Sequence, residues 1–188
     1  MGCAITESRN RVCKSLNGGL RKIWIFPFVK YNRSEIVRDG LTVTTFPSTP
    51  IYEFKVIGGA ALSQTQDNDE GLKSYKQTLE IKLAQNQGQF ELERLLKKDV
   101  RIIVEDYNGN NRLLGAYNGV ECTKLEYTTG GGYSDLNGVS LSFEAAEREE
   151  ALFIDDLESA GFEIAQYLLL EDGTYLLLQT DEYLELEF

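Results

Sequence analysis

The sequence predicts a mainly β protein, and three observations carry that expectation. The stretch SYKQTLEIKLA (Ser74 to Ala84) sets Tyr75, Gln77, Leu79, Ile81 and Leu83 on one face and Lys76, Thr78, Glu80 and Lys82 on the other. That is the period-two alternation of a half-buried strand. Asn108-Gly109 stands between two apolar runs, where a hairpin turn needs residues that accept positive φ. Short alternating runs also recur at Ile51 to Ile57 and Gly138 to Phe143, set apart by Gly, Pro, Asn and Asp. The chain has 188 residues, enough for one domain to bury a core without disulfide or metal staples.

Residues 1–20 are polar, lack periodicity and end in Asn17-Gly18-Gly19, which reads as a flexible basic arm. A β domain is expected over residues 21–155. Within it, Ile23 to Val29 (IWIFPFV) is apolar, but Pro27 removes a ladder donor and points to an edge or broken strand. Leu41 to Thr45 reads as a short strand and Phe46 to Pro50 as a turn or extended link. In Ile51 to Ile57 the face of Tyr52, Phe54 and Val56 is expected to be buried. Ala61 to Gly71 (ALSQTQDNDEG) is polar and loop-like.

After the strand at Ser74 to Ala84 the period changes. In Gln89 to Lys98, Phe90, Leu92, Leu95 and Leu96 share one helical stripe, with acids early and lysines late, so one flanking helix is expected. Asp99 to Asp106 reads as a strand, and strands return on both sides of the Gly115–Gly119 interruption. Gly130-Gly131-Gly132 reads as a mobile loop, Gly138 to Phe143 as a strand, and Glu144 to Glu150 as a helical fragment or charged turn. Residues 156–188 form an acidic extension. Its YLLLEDGTYLLLQ stretch places Leu168, Leu169 and Leu170, then Leu176, Leu177 and Leu178, around Asp172-Gly173, a hairpin signal. Leucines on both faces call for cover, from a neighbouring subunit or from the chain's own core.

Composition narrows the function classes. There is no histidine, which removes the commonest general base and metal ligand and excludes Ser-His-Asp and Cys-His constellations. No catalytic residue, metal or cofactor is nominated. Asp67, Asn68, Asp69 and Glu70 have the composition of a calcium loop but not its spacing. Adjacent acids such as Glu149-Glu150 and Asp155-Asp156 could do glycosidase chemistry only if fixed across a cleft; a solvated acidic face is the simpler expectation. Cys3, Cys13 and Cys122 are too few and too scattered for a disulfide framework, so reduced thiols are expected, with Cys3–Cys13 pairing open in an oxidising setting. Gly2 and Thr6 formally fit a myristoylation pattern, but nothing else suggests an anchor. No run is long and apolar enough to span a bilayer, and the N-terminus lacks the apolar stretch of a signal peptide.

Charge is unevenly placed. The formal net charge is −11, yet up to Ser34 the bases Arg9, Arg11, Lys14, Arg21, Lys22, Lys30 and Arg33 face Glu7 alone. From Val139 onward Arg148 is the only base among many acids. Such polarity permits head-to-tail attraction between copies, though it also simply keeps both ends soluble. Trp24, Phe26, Phe28 and Tyr31 beside Lys22, Lys30 and Arg33 invite a base-stacking reading; at alternate positions they more simply supply core or interface anchors.

The run from Lys97 to Glu147 resembles the tail-tube-like proteins of tailed bacteriophages. The resemblance rests on Asp106 to Gly109, the strand Arg112 to Gly115 ending in Leu-Leu-Gly, the glycine-rich loop, and Asp135 to Gly138 (DLNG) followed by a strand. Asn17 to Ile25 and the LLLEDGTYLLLQ ending look like proteins of phages that infect gut Bacteroides. The resemblance implies a β-sandwich or barrel with one flanking helix, an N-terminal arm and a C-terminal hairpin extension. It further implies a virion protein, not an enzyme, forming a homo-oligomeric ring, six- or twelve-fold, through which DNA passes between neighbouring tail ring, hub or adaptor proteins. Tyr75, Leu79, Ile81, Leu83, Val139, Leu141 and Phe143 would pair across subunits. Arg9, Arg11, Lys14, Arg21 and Lys22 would form a docking arm. Leu168, Leu169, Leu170, Gly173, Leu176, Leu177 and Leu178 would form a docking hairpin. The alternative is a monomeric, β-rich carbohydrate-binding module using Trp24 and the tyrosines.

Overall fold

A computed structural model describes residues 17–69, 72–84, 97–132, 135, 137–169 and 175–178. The strands, in chain order, are β1 (Leu20–Pro27), β2 (Val37–Asp39), β3 (Thr42–Thr45), β4 (Thr49–Glu53), β5 (Ala61–Asp69), β6 (Leu72–Ala84) and β7 (Val100–Asp106). They continue with β8 (Asn111–Leu114), β9 (Glu121–Thr128), β10 (Gly138–Glu147), β11 (Leu152–Ile154), β12 (Phe162–Ile164), β13 (Gln166–Leu169) and β14 (Tyr175–Leu178). An eight-stranded sheet runs β12-β4-β1-β7-β8-β11-β3-β2, and a four-stranded sheet runs β5-β6-β10-β9.

The larger sheet curls into a half-barrel, and its connectivity requires it to. Thr45 ends β3 and Thr49 begins β4, a gap that extended chain spans with at most about 14 Å. In a flat sheet these two strands, five places apart in the order, would lie about 24 Å apart. The curl encloses one core: Trp24, Phe26, Phe46, Ile51, Ile103, Leu113, Ile154 and Phe162. Phe46 stacks on Phe162 at 4.7 Å between ring centres, and Phe26 meets both edge-on. The outer face of β1, β7 and β8 packs on the four-stranded sheet around a second core of Ile23, Ile25, Ile102, Val104, Leu114, Leu79, Ile81, Val139, Leu141 and Phe143.

β1 and β7 therefore have apolar neighbours on both faces, which is why IWIF and VRIIV read as continuous apolar runs and not as alternation. This corrects the expectation for Pro27. β1 is a central strand between β4 and β7, and Pro27 is its last residue, opposite Val100, where a missing N–H costs the ladder little. In Ile51 to Ile57 the expected face does turn inward, Tyr52, Phe54 and Val56 being half-buried with Phe54 and Val56 against the second core while Glu53, Lys55 and Ile57 are exposed; the departure is Ile51, fully buried in the curl.

Three further expectations fail. The flanking helix is not found: no described residue is helical, and Gln89 to Lys98 lies outside the described residues except Lys97 and Lys98, which sit in a turn and a bend. The polar Ala61 to Gly71 stretch is not a loop, since β5 pairs with β6 from Ala61↔Glu80 to Asp69↔Leu72. β5 is an edge strand with most of its described side chains exposed, so it carries no apolar alternation to reveal it. Glu144 to Glu147, expected as a helical fragment or turn, complete β10.

The boundary expected before residue 156 falls inside the sandwich. Leu157, Ala160 and Phe162 are buried, and β12 pairs in parallel with β4. The leucine hairpin forms as a separate two-stranded sheet, with Leu168↔Leu176 and Leu169↔Tyr175 in register. Leu170 and Gly173 lie outside the described residues.

Candidate interaction site

The four-stranded sheet has one buried and one solvent-facing side. Leu79, Ile81, Leu83, Val139, Leu141 and Phe143 all point into the core, as does Gln77. The opposite side presents Lys76, Thr78, Glu80 and Lys82 of β6, Ser140, Ser142 and Glu144 of β10, and Glu121 and Thr123 of β9. A Lys76–Glu144 ion pair at 2.9 Å bridges β6 and β10, and Lys124 pairs with Glu126 at 2.5 Å. This mixture of signs offers phosphate no concentrated cationic grip.

The strands expected to pair across subunits are placed differently. β6 and β10 pair with each other over Tyr75↔Glu147 to Ala84↔Gly138, with β5 and β9 on their other sides. Tyr75, Leu79, Ile81, Leu83, Val139, Leu141 and Phe143 thus belong to central strands whose ladders are filled within one copy. The rims of the sheet are β5 and β9. No other strand among the described residues pairs with their outer edges, and polar side chains in β5 concealed this from the sequence.

The arm residues divide. Arg9, Arg11 and Lys14 lie outside the described residues, whereas Arg21 and Lys22 belong to β1 and approach Glu105 at 3.4 and 4.0 Å. Cys3 and Cys13 also lie outside the described residues; Cys122 is buried and unpaired, and burial pushes its thiol pKa up. Trp24 is buried at 2 % exposure in the curl, so it can neither stack on bases nor face a sugar. No cluster of three metal-ligating His, Cys, Asp or Glu side chains occurs among the described residues. One member of each acid pair is engaged structurally: Arg38 grips Glu149 with two hydrogen bonds, and the Asp156 carboxylate accepts the Ser159 N–H at 3.0 Å.

A second feature lies where three connections meet at one end of the sandwich. The β1–β2 link supplies Lys30, Tyr31 and Arg33, the β8–β9 turn supplies Tyr117 and Asn118, and the end of β10 supplies Glu147 and Arg148. They line an open cleft of about 310 Å³. Its floor is fixed by buried polar groups. The Glu147 carboxylate, in a residue 5 % exposed, accepts the N–H groups of Tyr117 at 2.9 Å and Asn118 at 2.8 Å. Gln77 accepts the Gly115 N–H at 3.2 Å, pinning the same turn from β6. Burial raises the Glu147 pKa, against the pull of those N–H groups and of Arg101 and Arg33.

Arg101, 1 % exposed, lies beneath Tyr31. Its guanidinium stands 4.4 Å from the Phe28 ring centre, 4.9 Å from that of Tyr31 and 5.4 Å from that of Phe46. Nε donates to the Ala116 carbonyl at 3.2 Å, while Nη1 has no acceptor among the described residues. Burial lowers its pKa to about 10, so it remains a cation at neutral pH, stabilised by the rings. Lys30 and Arg148 form no ion pair among the described residues, and Arg33 lies over the Tyr117 ring at 4.9 Å. In a chain of net charge −11, this end is locally cationic. The sequence showed the separate bases, but only the fold brings Arg148 beside Lys30 and Arg33.

Comparison with protein-family models, curated proteins and solved structures finds no match to this chain. The likeness to tail-tube proteins rests on the sequence motifs alone.

Proposed function

We propose that this chain is a non-enzymatic structural subunit whose four-stranded sheet joins copies edge to edge into a closed ring, as a tail segment of a bacteriophage virion. One observation carries the reading: β5 and β9 are the two rims of one antiparallel sheet that is buried on one side and polar on the other. Exposed strand edges invite pairing with another chain, and closure removes both at once. β5 of one copy meeting β9 of the next is a head-to-tail contact, which generates a ring when the rotation closes. The polar face would then line a lumen whose mixed lysines and glutamates let DNA pass without being held.

Of two consecutive residues in a strand, one turns its N–H outward. The pair Thr65→Pro and Gln66→Pro therefore includes one variant that blocks the β5 edge and spares the β5–β6 ladder. One of the two is expected to keep its circular dichroism spectrum and fail to form rings. Rings from both folded variants would contradict the assignment.

A second reading, a ligand-binding module acting as a monomer, is favoured by two facts. Both cores close within one copy, so the domain needs no partner to fold. The end cleft also carries tyrosines and Asn118, groups suited to sugar hydroxyls. Trp24 has no part in such a site. A stable monomer whose glycan affinity is lost in Tyr117→Ala would establish this reading over the ring.

A further inference from the structure

We infer that the junction between copies has one register: β5 of one copy lies antiparallel to β9 of the next, with Leu62 opposite Tyr127. The inference rests on the ring reading and specifies its contact. Strands β5, β6, β10 and β9 alternate in direction, so β5 and β9 run oppositely, and rotation about a ring axis keeps them so. The usable edge of β9 is short. Val120, just before it, bonds to Val100, and Thr123 is an extra residue between the pairs Ser142↔Lys124 and Phe143↔Cys122. Such a bulge disrupts the ladder, which leaves Lys124 to Thr128 as the regular edge.

The faces restrict the register, because a slip by one residue turns every side chain to the wrong side. Leu62 and Gln64 lie on the core side with Leu79 and Gln77, and Leu125 and Tyr127 lie there with Leu141 and Val139. Leu62 and Leu125 are half-buried against the second core, and Tyr127 is 46 % exposed. Both rims thus carry apolar side chains on the core side that one copy leaves partly uncovered. Closure selects among the registers that keep the faces. A row straight across one copy joins Leu62, Leu79, Phe143 and Cys122. Tyr127 is five residues past Cys122; less the bulged Thr123, that is four ladder positions. They advance about 13 Å along the strand against about 19 Å for four strand spacings. The inclination, about 35°, is that of strands in closed barrels. Leu62 opposite Leu125 would incline them by only about 19°. Gln64 opposite Tyr127 would set glutamines against Tyr127 and Leu125 and carry Leu62 past the end of β9. A stagger in the other sense would set Leu62 opposite Asn118, outside β9.

In this register Ser63 and Glu126, both exposed on the polar face, become direct partners. Directly opposite residues have Cα atoms about 4.5–5.5 Å apart, which suits a disulfide. Within one copy the same two residues stand on opposite rims, about 14 Å apart, so only neighbours can be bridged. The test is oxidation of full-length protein carrying Ser63→Cys and Glu126→Cys, with Cys3→Ser and Cys13→Ser added. It is read on non-reducing gels beside mass photometry of the wild type. The changed strand positions are exposed, and circular dichroism of the reduced variants verifies the fold. A ladder of cross-linked copies is expected, at least tenfold more abundant than from either single variant. Stronger cross-linking of Ser63→Cys/Lys124→Cys or of Thr65→Cys/Glu126→Cys would overturn the register and leave the ring. Wild-type rings with no cross-link from any of the three pairs would overturn the β5–β9 junction as well. Wild-type monomers without cross-links would overturn ring and register together.

Discussion

Glu147 shows what a single side chain contributes here. It lies on the inward side of β10 and holds the β8–β9 turn by two backbone N–H groups. Removing that acceptor in Glu147→Ala leaves both donors without it, at a cost of about 1–3 kcal/mol, measurable by urea unfolding. Glu147→Gln keeps an acceptor and loses the charge. Because burial raises the folded-state pKa, the folded protein holds this proton more tightly than the unfolded chain. The resulting stability is present below about pH 4.3, the ordinary glutamate value, and is lost as pH rises through the raised folded value. The glutamine variant is therefore expected to gain stability on the wild type as pH rises through that window; a constant difference between them would contradict the buried-carboxylate account. Gly138 is a steric counterpart: a Cβ there would sit 2.1 Å from the Leu83 carbonyl oxygen. Gly138→Ala is expected to cost about 1–3 kcal/mol and to lower the unfolding midpoint. Alternation made Gln77 legible as a resident of the buried face, but nothing local marked Glu147 or Arg101, whose partners are distant in sequence.

At the scale of elements, legibility followed periodicity and failed where burial was two-sided or absent. β6 is a central strand, and its alternating sequence reports one buried face directly. β1 is buried on both faces, so its apolar run carried no alternation, and Pro27 at its end suggested an edge position that the fold does not give it. β5 is exposed, so its polar sequence resembled a loop although it pairs along β6. The Asn108-Gly109 turn was legible because its chemistry is local: Gly109 has φ +83°, and the Asp106 carboxylate accepts the N–H groups of Asn108 and Asn110. The same distinction separates two kinds of strand substitution. Leu79 is fully buried in β6, so Leu79→Ala is expected to cost about 2–5 kcal/mol, and a proline there is expected to prevent folding and not merely assembly. A folded Leu79→Pro monomer by circular dichroism would contradict the central placement of β6.

At the scale of the whole molecule, the mainly β architecture and the C-terminal hairpin were legible, but the arrangement of the two sheets was not. Curling depends on β3 and β4 being joined by a short link across a wide sheet, and the sequence does not display strand order. The candidate surfaces are long-range products of that order: two rims on one sheet, and an end cleft assembled from three connections. The central claim is that these rims join copies into a ring. Mass photometry of the purified protein with negative-stain imaging tests it most directly. The expected result is a closed ring whose mass is a whole-number multiple of the 21.2 kDa chain. A population that stays at the mass of one chain at micromolar concentration, with no rings on the grid, would contradict it.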